Sequence, residues 1–500
     1  VHAAGAIQDL NHEAIIINNN PETVSTDFDT SDRLYFDPLT LENVSEILLR
    51  ESADGILLQF GGQTAINLAL PLNNNLNYLK SLGLKTVIKG TSPSAIDEAS
   101  DRFRFEKFAS NNDLRMPNGL TAKSSEDVRT AVKKIGYPVL IRPSYVLGGR
   151  GMEILSSNIQ LEAYMAEAYI ANDKPLLIDE YLGNAMELDV DAVCDGNTVL
   201  IGAIMEHLEE AGIHSGDSTC FIPTQNVSDE MLSEVKKWTN KIGLGLDIRG
   251  CFNIQFAIKE EILYVLEVNP RGSRTFPFVA KSTGIPLARI AARVALGDQL
   301  SDLPIPSAQD KAVCVKAPVF PFIKLRGLDP APGPDMKSTG EVMGSNVLAS
   351  AADLVERRAT ESPIPTEGGV YVTVNDKDKV KVIEHAKKLQ DMGFKLYATS
   401  GTSSILRESG NLDVETCYRI SEGSSPDALD LMRQGKINLI INTPSSTGGA
   451  VLDGNMMRRL AVELNIPFVT TMAGAKMEVE AIYEARLGMP EPRALDISSL

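Results

Sequence analysis

Two apolar β-runs, residues 252–258 and 263–268, flank the polar stretch Lys259-Glu260-Glu261, and no other feature restricts the fold of this chain so tightly. Such a pattern is that of an antiparallel hairpin. Gln255, Glu267 and Asn269 interrupt it where a buried strand would carry apolar side chains. Period-two alternation places Glu267 and Asn269 on one face, and a three-residue turn is expected to set Gln255 opposite Glu267. One carboxylate and two amide carbonyls are hard oxygen donors of the kind that hold Mg²⁺ (or Mn²⁺), phosphate oxygens and water completing the coordination. The bland alternative is a polar outer face. Arg271 and Arg274 follow directly and favour the metal reading, because guanidinium groups grip phosphate or carboxylate in bidentate fashion.

Other segments fit the same chemistry. A strand at residues 138–144 runs into Tyr145-Val146-Leu147-Gly148-Gly149-Arg150-Gly151, where glycines let backbone N–H groups approach a phosphate and Arg142 and Arg150 supply positive charge. The G-x-x-x-x-G-K-[ST] pattern is missing, which disfavours a P-loop NTPase. Residues 176–182 read as a buried strand ending in a hinge at Glu180 and Leu182, a candidate adenine slot, with Glu187 placed to meet a ribose hydroxyl. Gly212-Ile213-His214-Ser215-Gly216-Asp217-Ser218 is a turn-rich loop. Its neighbouring His214 and Ser215 lack the G-x-S-x-G setting of a hydrolase, so nucleotide contact is the better expectation.

At 500 residues the chain should divide into three domains. Residues 1–93 alternate helix with short apolar runs, as in a doubly wound parallel sheet, and carry polar loops at Asn19-Asn20-Pro21 and Gly61-Gly62-Gln63. The strand and glycine-rich turn that normally open such a domain are missing before the amphipathic residues 1–10, so a fragment is expected, and the independent folding of residues 1–90 is open to question. Residues 94–360 mix helices with antiparallel strands (α+β) and carry the candidate site. A Pro/Gly-rich linker opens residues 361–500, which read as an independent α/β domain with a parallel sheet. One copy of the site motifs is expected.

The net charge of −18 leaves no broad basic surface, so nucleic acid and anionic membranes are excluded as general partners. Five scattered cysteines without C-x-x-C spacing point to reduced, buried thiols. No apolar run reaches the ~18 residues of a membrane span, and a cytoplasmic protein is expected.

With Ile141-Arg142-Pro143-Ser144-Tyr145-Val146-Leu147-Gly148-Gly149, the His214 loop and Glu267-Val268-Asn269-Pro270-Arg271 in this order, the chain resembles the carbamoyl phosphate synthetase large-subunit family. The likeness is to the second ATP-grasp copy, preceded by a pre-ATP-grasp domain and followed by a methylglyoxal-synthase-like regulatory domain. It implies phosphorylation of carbamate by ATP to give carbamoyl phosphate, serving pyrimidine and arginine biosynthesis. It also implies ATP contacts at Arg102, Arg142, Glu180 (through its backbone), Leu182, Glu187, Gly212, Ile213, His214, Ser215, Gln255 and Glu267. Metal ligands would be Gln255, Glu267 and Asn269, with Arg271 and Arg274 at the transferred phosphoryl group. A small anionic effector would meet Lys379, Thr399, Thr402, Arg419, Asn442 and Thr443, with Ser445 and Ser446 in the same loop. A glutaminase small subunit and an N-terminal half of the large subunit are implied partners. Another ATP-grasp carboxylate ligase, or an effector-binding fragment without turnover, stays open as an alternative.

Overall fold

The computed structural model describes residues 1–143, 151–168, 175–307, 312–322, 329–360, 362–444 and 449–491. The site is mounted on a seven-stranded sheet in the order Ile262–Asn269, Gly250–Lys259, Met186–Cys194, Val199–Glu210, Cys220–Ile222, Val313–Val319 and Gly340–Asn346. Every neighbouring pair in it is antiparallel. Alternation along Met186–Cys194 sends Leu188, Val190 and Ala192 to one face, where Phe252, Phe256, Phe105, Trp238 and Ile242 complete a core. On the other face Val193, Met205 and Cys251 pack with Phe278, Leu287 and Ile290.

A four-stranded antiparallel sheet, Gly119–Ala122, Leu176–Glu180, Val139–Pro143 and Glu153–Leu155, forms a second layer. The helix Ser125–Ile135 packs on it through Val128, Ala131 and Val132. Ser124 caps that helix by accepting from Asp127 N–H, and acidic residues in its first turn with lysines in its last suit the helix dipole.

The amino-terminal region carries parallel pairing, as its alternating pattern predicts, in two separate ladders: Ile15–Ile17 with Arg33–Tyr35, and Gly55–Leu57 with Val87–Lys89. It does not stand alone. Helix His2–Asp9 lies against helix Leu287–Leu296, with Asp9 paired to Arg289.

The carboxy-terminal region is a five-stranded parallel sheet in the order Val414–Cys417, Lys395–Thr399, Gly369–Thr373, Leu439–Asn442 and Phe468–Val469. The 3-10 turn Asp376–Asp378 leads from the first of its strands in sequence to the helix Val382–Asp391. This region too packs on the middle one. Its last helix, Met472–Leu487, packs on helix Ala349–Thr360, and Met477 joins Phe221, Val315 and Ala352 in a shared apolar cluster.

One arginine serves three buried carboxylates in that junction. Arg357 donates to Asp353 Oδ2 at 2.8 Å and to Glu478 Oε2 at 2.6 Å, while Glu356 Oε2 and Glu478 Oε1 have no hydrogen-bond partner. Burial first, and Asp353 next, push the Glu356 carboxyl up to about 8, and burial raises Glu478 as well. A carboxyl whose folded pKa is raised binds its proton more tightly in the native state, so stability should fall as pH rises from about 4.5 to about 8 and flatten above. Glu356→Gln should remove part of that slope, raising the unfolding midpoint at pH 8.5 by roughly 2–4 °C with no gain at pH 4.5. Thermal unfolding across the pH range checks it.

Candidate functional site

The hairpin pairs Gln255 with Glu267 and Asn253 with Asn269. The predicted pairing is reached by a different route. The turn has two residues, not three: Glu260 and Glu261 sit at φ 51° and 60° between the paired Lys259 and Ile262, the left-handed geometry that suits strand twist. A bulge between the Gln255 and Phe256 pairings, where Phe256 faces Val265, then shifts the register by one and leaves Leu266 as the extra residue. Without it Gln255 would face Leu266, and Glu267 would turn to the opposite side.

Around this hairpin end the groups converge. Asn269 Nδ2 donates to Glu267 Oε1 at 2.8 Å, and Arg142 Nη1 lies 4.0 Å from Glu267 Oε2. Arg142 Nε is 3.3 Å from Asp179 Oδ2, while Arg102 Nη2 donates to Asp179 Oδ1 at 3.0 Å. Asp179 thus aligns two arginines from two elements, a role the sequence reading missed. Gly119 makes room for it, since a Cβ there would stand 2.3 Å from Asp179 Oδ1. Arg271 donates from Nε to Gln63 Oε1 at 3.1 Å and from Nη2 toward Asn269 Oδ1 at 3.4 Å. Arg274 is exposed, with Nη1 2.7 Å from Met336 Sδ and Nε 3.7 Å from Glu341 Oε1.

The hinge and the His214 loop close one side. Leu182 is buried with Ala185, Ala211 and Ala257, and Tyr264 and the bulged Leu266 complete this apolar wall. The Glu180 N–H is already committed to Asn118 O at 2.7 Å, so a backbone contact from Glu180 to a ligand falls to its carbonyl. Gly212 must be glycine: its φ is +99°, and a Cβ would meet the Tyr181 ring at 2.5 Å. Ile213 is half-buried in the same loop. His214 Nδ1 accepts from Gly216 N–H at 3.0 Å, and burial lowers its pKa, so the ring is a neutral acceptor. Lys316 Nζ donates to Ser215 O at 3.1 Å, and Asp217 accepts from Lys337 N–H and Ser338 N–H at 2.8 and 2.9 Å. The loop at residues 144–150, including Arg150, lies outside the described residues.

Below the hairpin lies a ladder of acids that the sequence reading used only at Glu187. Glu187, Asp189 and Asp191 are each at most 3% exposed and sit opposite Ala257, Gln255 and Asn253. Burial pushes Glu187 up to about 8 and Asp191 up to about 7. Glu187 Oε2 accepts from Gly212 N–H at 3.4 Å, beneath the loop rather than open to solvent. The spacing Glu-x-Asp-x-Asp in an otherwise apolar strand was the available signal.

Gln255, Glu267 and Asn269 fit a hard divalent cation, because one carboxylate and two amide groups share the hairpin end beside Arg142 and Arg271. Among the described residues no group of three or more His, Cys, Asp or Glu could hold a metal by itself.

In the carboxy-terminal region Lys379, Thr399, Thr402, Arg419, Asn442 and Thr443 all line one cavity of about 330 Å³. Arg458 is 3% exposed beside it; its Nη1 donates to Asn442 Oδ1 at 2.6 Å, and its Nε and Nη2 grip Asp329 at 2.9 and 2.6 Å. Ser445 and Ser446 lie outside the described residues.

Three family profiles cover the chain in order: Carbamoyl phosphate synthase preATP-grasp domain at residues 1–98, Carbamoyl-phosphate synthase L chain, ATP binding domain at 101–303, and MGS-like domain at 381–470. The Carbamoyl phosphate synthase large chain, C-terminal section, of Methanocaldococcus jannaschii is 47% identical over 513 residues, covering 99% of this chain and 81% of the relative. The chain belongs to the carbamoyl phosphate synthase large-chain family. It is also 49% identical to the Carbamoyl phosphate synthase large chain of Methanothrix thermoacetophila over 498 residues, 99% of this chain but 46% of that one. The chain thus spans about half the length of such curated relatives. The fold is similar to that of the biotin carboxylase domain of Hydrogenobacter thermophilus 2-oxoglutarate carboxylase in complex with MgADP and bicarbonate, with a TM-score of 0.56 at 19% identity over 72% of this chain and 86% of that one. It is likewise similar to N5-carboxyaminoimidazole ribonucleotide synthetase from Thermotoga maritima, with a TM-score of 0.52 at 14% identity over 72% and 94%.

Asp179 gives this family's ATP-binding region a test of its own. Asp179→Asn should keep the side chain's shape but release Arg102 and Arg142, weakening the apparent affinity for MgATP by about tenfold. Equilibrium binding of a fluorescent ATP analogue checks it.

Proposed function

We propose that the chain transfers the γ-phosphoryl group of ATP to the oxygen of carbamate, giving carbamoyl phosphate and ADP, the second phosphorylation of carbamoyl phosphate synthesis. The observation that carries this reading is the meeting of Arg142, from one sheet, with the Gln255–Glu267–Asn269 hairpin end and Arg271, from another. Phosphoryl transfer asks a protein mainly for positioning and charge neutralisation, and these groups offer both. Arg142 faces the phosphate side of the site, held by Asp179, and Arg271 stands next to Asn269, where the carbamate oxygen and the γ-phosphorus would approach. Gln255, Glu267 and Asn269 would hold Mg²⁺, which when bound neutralises phosphate charge. The apolar wall of Leu182, Ala211 and Leu266 would take adenine, and the neutral His214 loop would cover the nucleotide. Arg274, exposed beside Glu341, would swing toward the phosphoryl group on ligand binding.

In the same reading the cavity at Lys379 and Arg419 takes a small anionic effector, since two cationic side chains and four threonines converge there. A contiguous run of contacts leads from it toward the site. Arg458 joins Asn442 to Asp329, Lys337 Nζ donates to the Asp329 and Ala331 carbonyls, and Lys337 N–H sits on Asp217 beside His214. The remaining half of a full-length large chain and a glutaminase subunit would supply carbamate.

The test runs the reaction backwards. ADP and carbamoyl phosphate with Mg²⁺ should yield ATP, detected by a coupled luminescent assay, and the absence of ATP formation rejects the assignment. Glu267→Gln should lower that rate by at least about a hundredfold while circular dichroism stays unchanged. An undiminished rate would remove Glu267 from the metal set.

A further inference from the structure

The loop that carries Arg271 is held from outside its own sheet. Gln59, fully buried in the amino-terminal region, donates from Nε2 to Cys251 O at 3.0 Å and Pro270 O at 3.3 Å, and its backbone carbonyl accepts from Gly272 N–H at 2.9 Å. Two glycines make the approach possible. Gly90 and Gly250 have φ of +84° and +109°, and a Cβ on either would stand 2.3 or 2.8 Å from Gln59 Oε1. From beneath, Ser273 and Thr275 donate to Asp191 at 2.8 and 2.6 Å. The backbone on both sides of Arg271 is therefore fixed without help from Gln63.

Gln63 does something else. Its Nε2 donates to Asn67 Oδ1 at 3.0 Å, so only the carbonyl end of the amide is left to face Arg271, and Oε1 accepts from Arg271 Nε at 3.1 Å. The Nη2 and Nη1 groups then point to Asn269 Oδ1 and Gly272 O at 3.4 and 3.3 Å. A planar guanidinium anchored at Nε can turn little about its stem, so its remaining edge keeps one direction.

We propose that Gln63 is a positioning residue for phosphoryl transfer, locking the Arg271 guanidinium beside Asn269 with an amide supplied by the amino-terminal region. This rests on the phosphoryl-transfer reading above. It adds that the amino-terminal region contributes to the reaction itself, through one side chain, and not only to the stability of the loop.

The experiment compares the full chain with Gln63→Leu, which removes the acceptor at similar size, and Gln63→Glu, which keeps an acceptor oxygen. Two readouts are taken. The first is kcat and KM for ATP formation from ADP and carbamoyl phosphate. The second is the rate at which phenylglyoxal modifies Arg271 in the ligand-free protein, read by peptide mass mapping. Gln63→Leu should lower kcat by roughly ten- to a hundredfold with KM for ADP within about twofold. Its Arg271 should label several-fold faster, with the unfolding midpoint unchanged. Gln63→Glu should restore slow labelling and most of the lost rate. Wild-type labelling and kcat in Gln63→Leu would overturn the proposal, as would a loss of rate matched by a fall in unfolding midpoint. If the wild-type chain forms no ATP, the phosphoryl-transfer reading fails, and equal or faster labelling in Gln63→Leu still decides whether Gln63 holds Arg271.

Discussion

Three carboxylates on one face of the central strand Met186–Cys194 govern the geometry of everything above them. Glu187, Asp189 and Asp191 are shut away from water, and a buried carboxylate without donors costs several kcal/mol. The donors they recruit are the parts of the site. Asn253 Nδ2 serves Asp191 at 2.9 Å and Asp189 at 3.3 Å, which ties the hairpin to the strand; Ser273 and Thr275 bring down the arginine loop; His207 Nε2 lies 3.2 Å from Asp189. Satisfying one buried polar ladder therefore places the hairpin, the loop after it and the His207 strand together. A slip of two residues along the hairpin would set Asp191 opposite Cys251 or Gln255 instead of Asn253 and break the contact Asn253 makes with both aspartates, so the ladder acts as a register key for a sheet whose apolar contacts alone would tolerate sliding.

The site is composite. Arg142 comes from the four-stranded sheet, Gln255, Glu267 and Asn269 from the seven-stranded sheet, and the amide that accepts from Arg271 from the amino-terminal region. Such a site exists only when the three are docked, and the contacts at Gln59, at Asp179 and between Asp9 and Arg289 do that docking.

Much of this was legible in the residues. The hairpin announced itself because period-two alternation survives any detail of the turn, and Glu267 and Asn269 fell on one face for that reason. The turn itself was misjudged: two successive glutamates in left-handed geometry carry no glycine or asparagine signal, and a bulge leaves no trace in composition. In the sequence Asp179 is only one residue of a buried strand, because its partners, Arg102 and Arg142, lie 77 residues away in one case and on a different strand in the other. The acids of the central strand were visible as Glu-x-Asp-x-Asp, yet their meaning depends on which strand pairs opposite. The residues proposed to meet an effector form a contrast. Thr399 and Asn442 end parallel strands, Arg419 comes two residues and Lys379 six residues after the ends of two others, and parallel topology gathers strand ends at one edge whatever the loops do.

All five thiols are buried, Cys194, Cys220, Cys251 and Cys314 in the large antiparallel sheet and Cys417 in the parallel one. Exposure of each is at most 5%, so a bulky thiol reagent can reach none of them without an opening of the surrounding layer. The protein thereby carries its own clock for breathing motions. Cys417 times the parallel sheet alone, and Cys251, pressed against the Gln59 carbonyl at 3.8 Å, times the separation of the amino-terminal region from the sheet that holds the site.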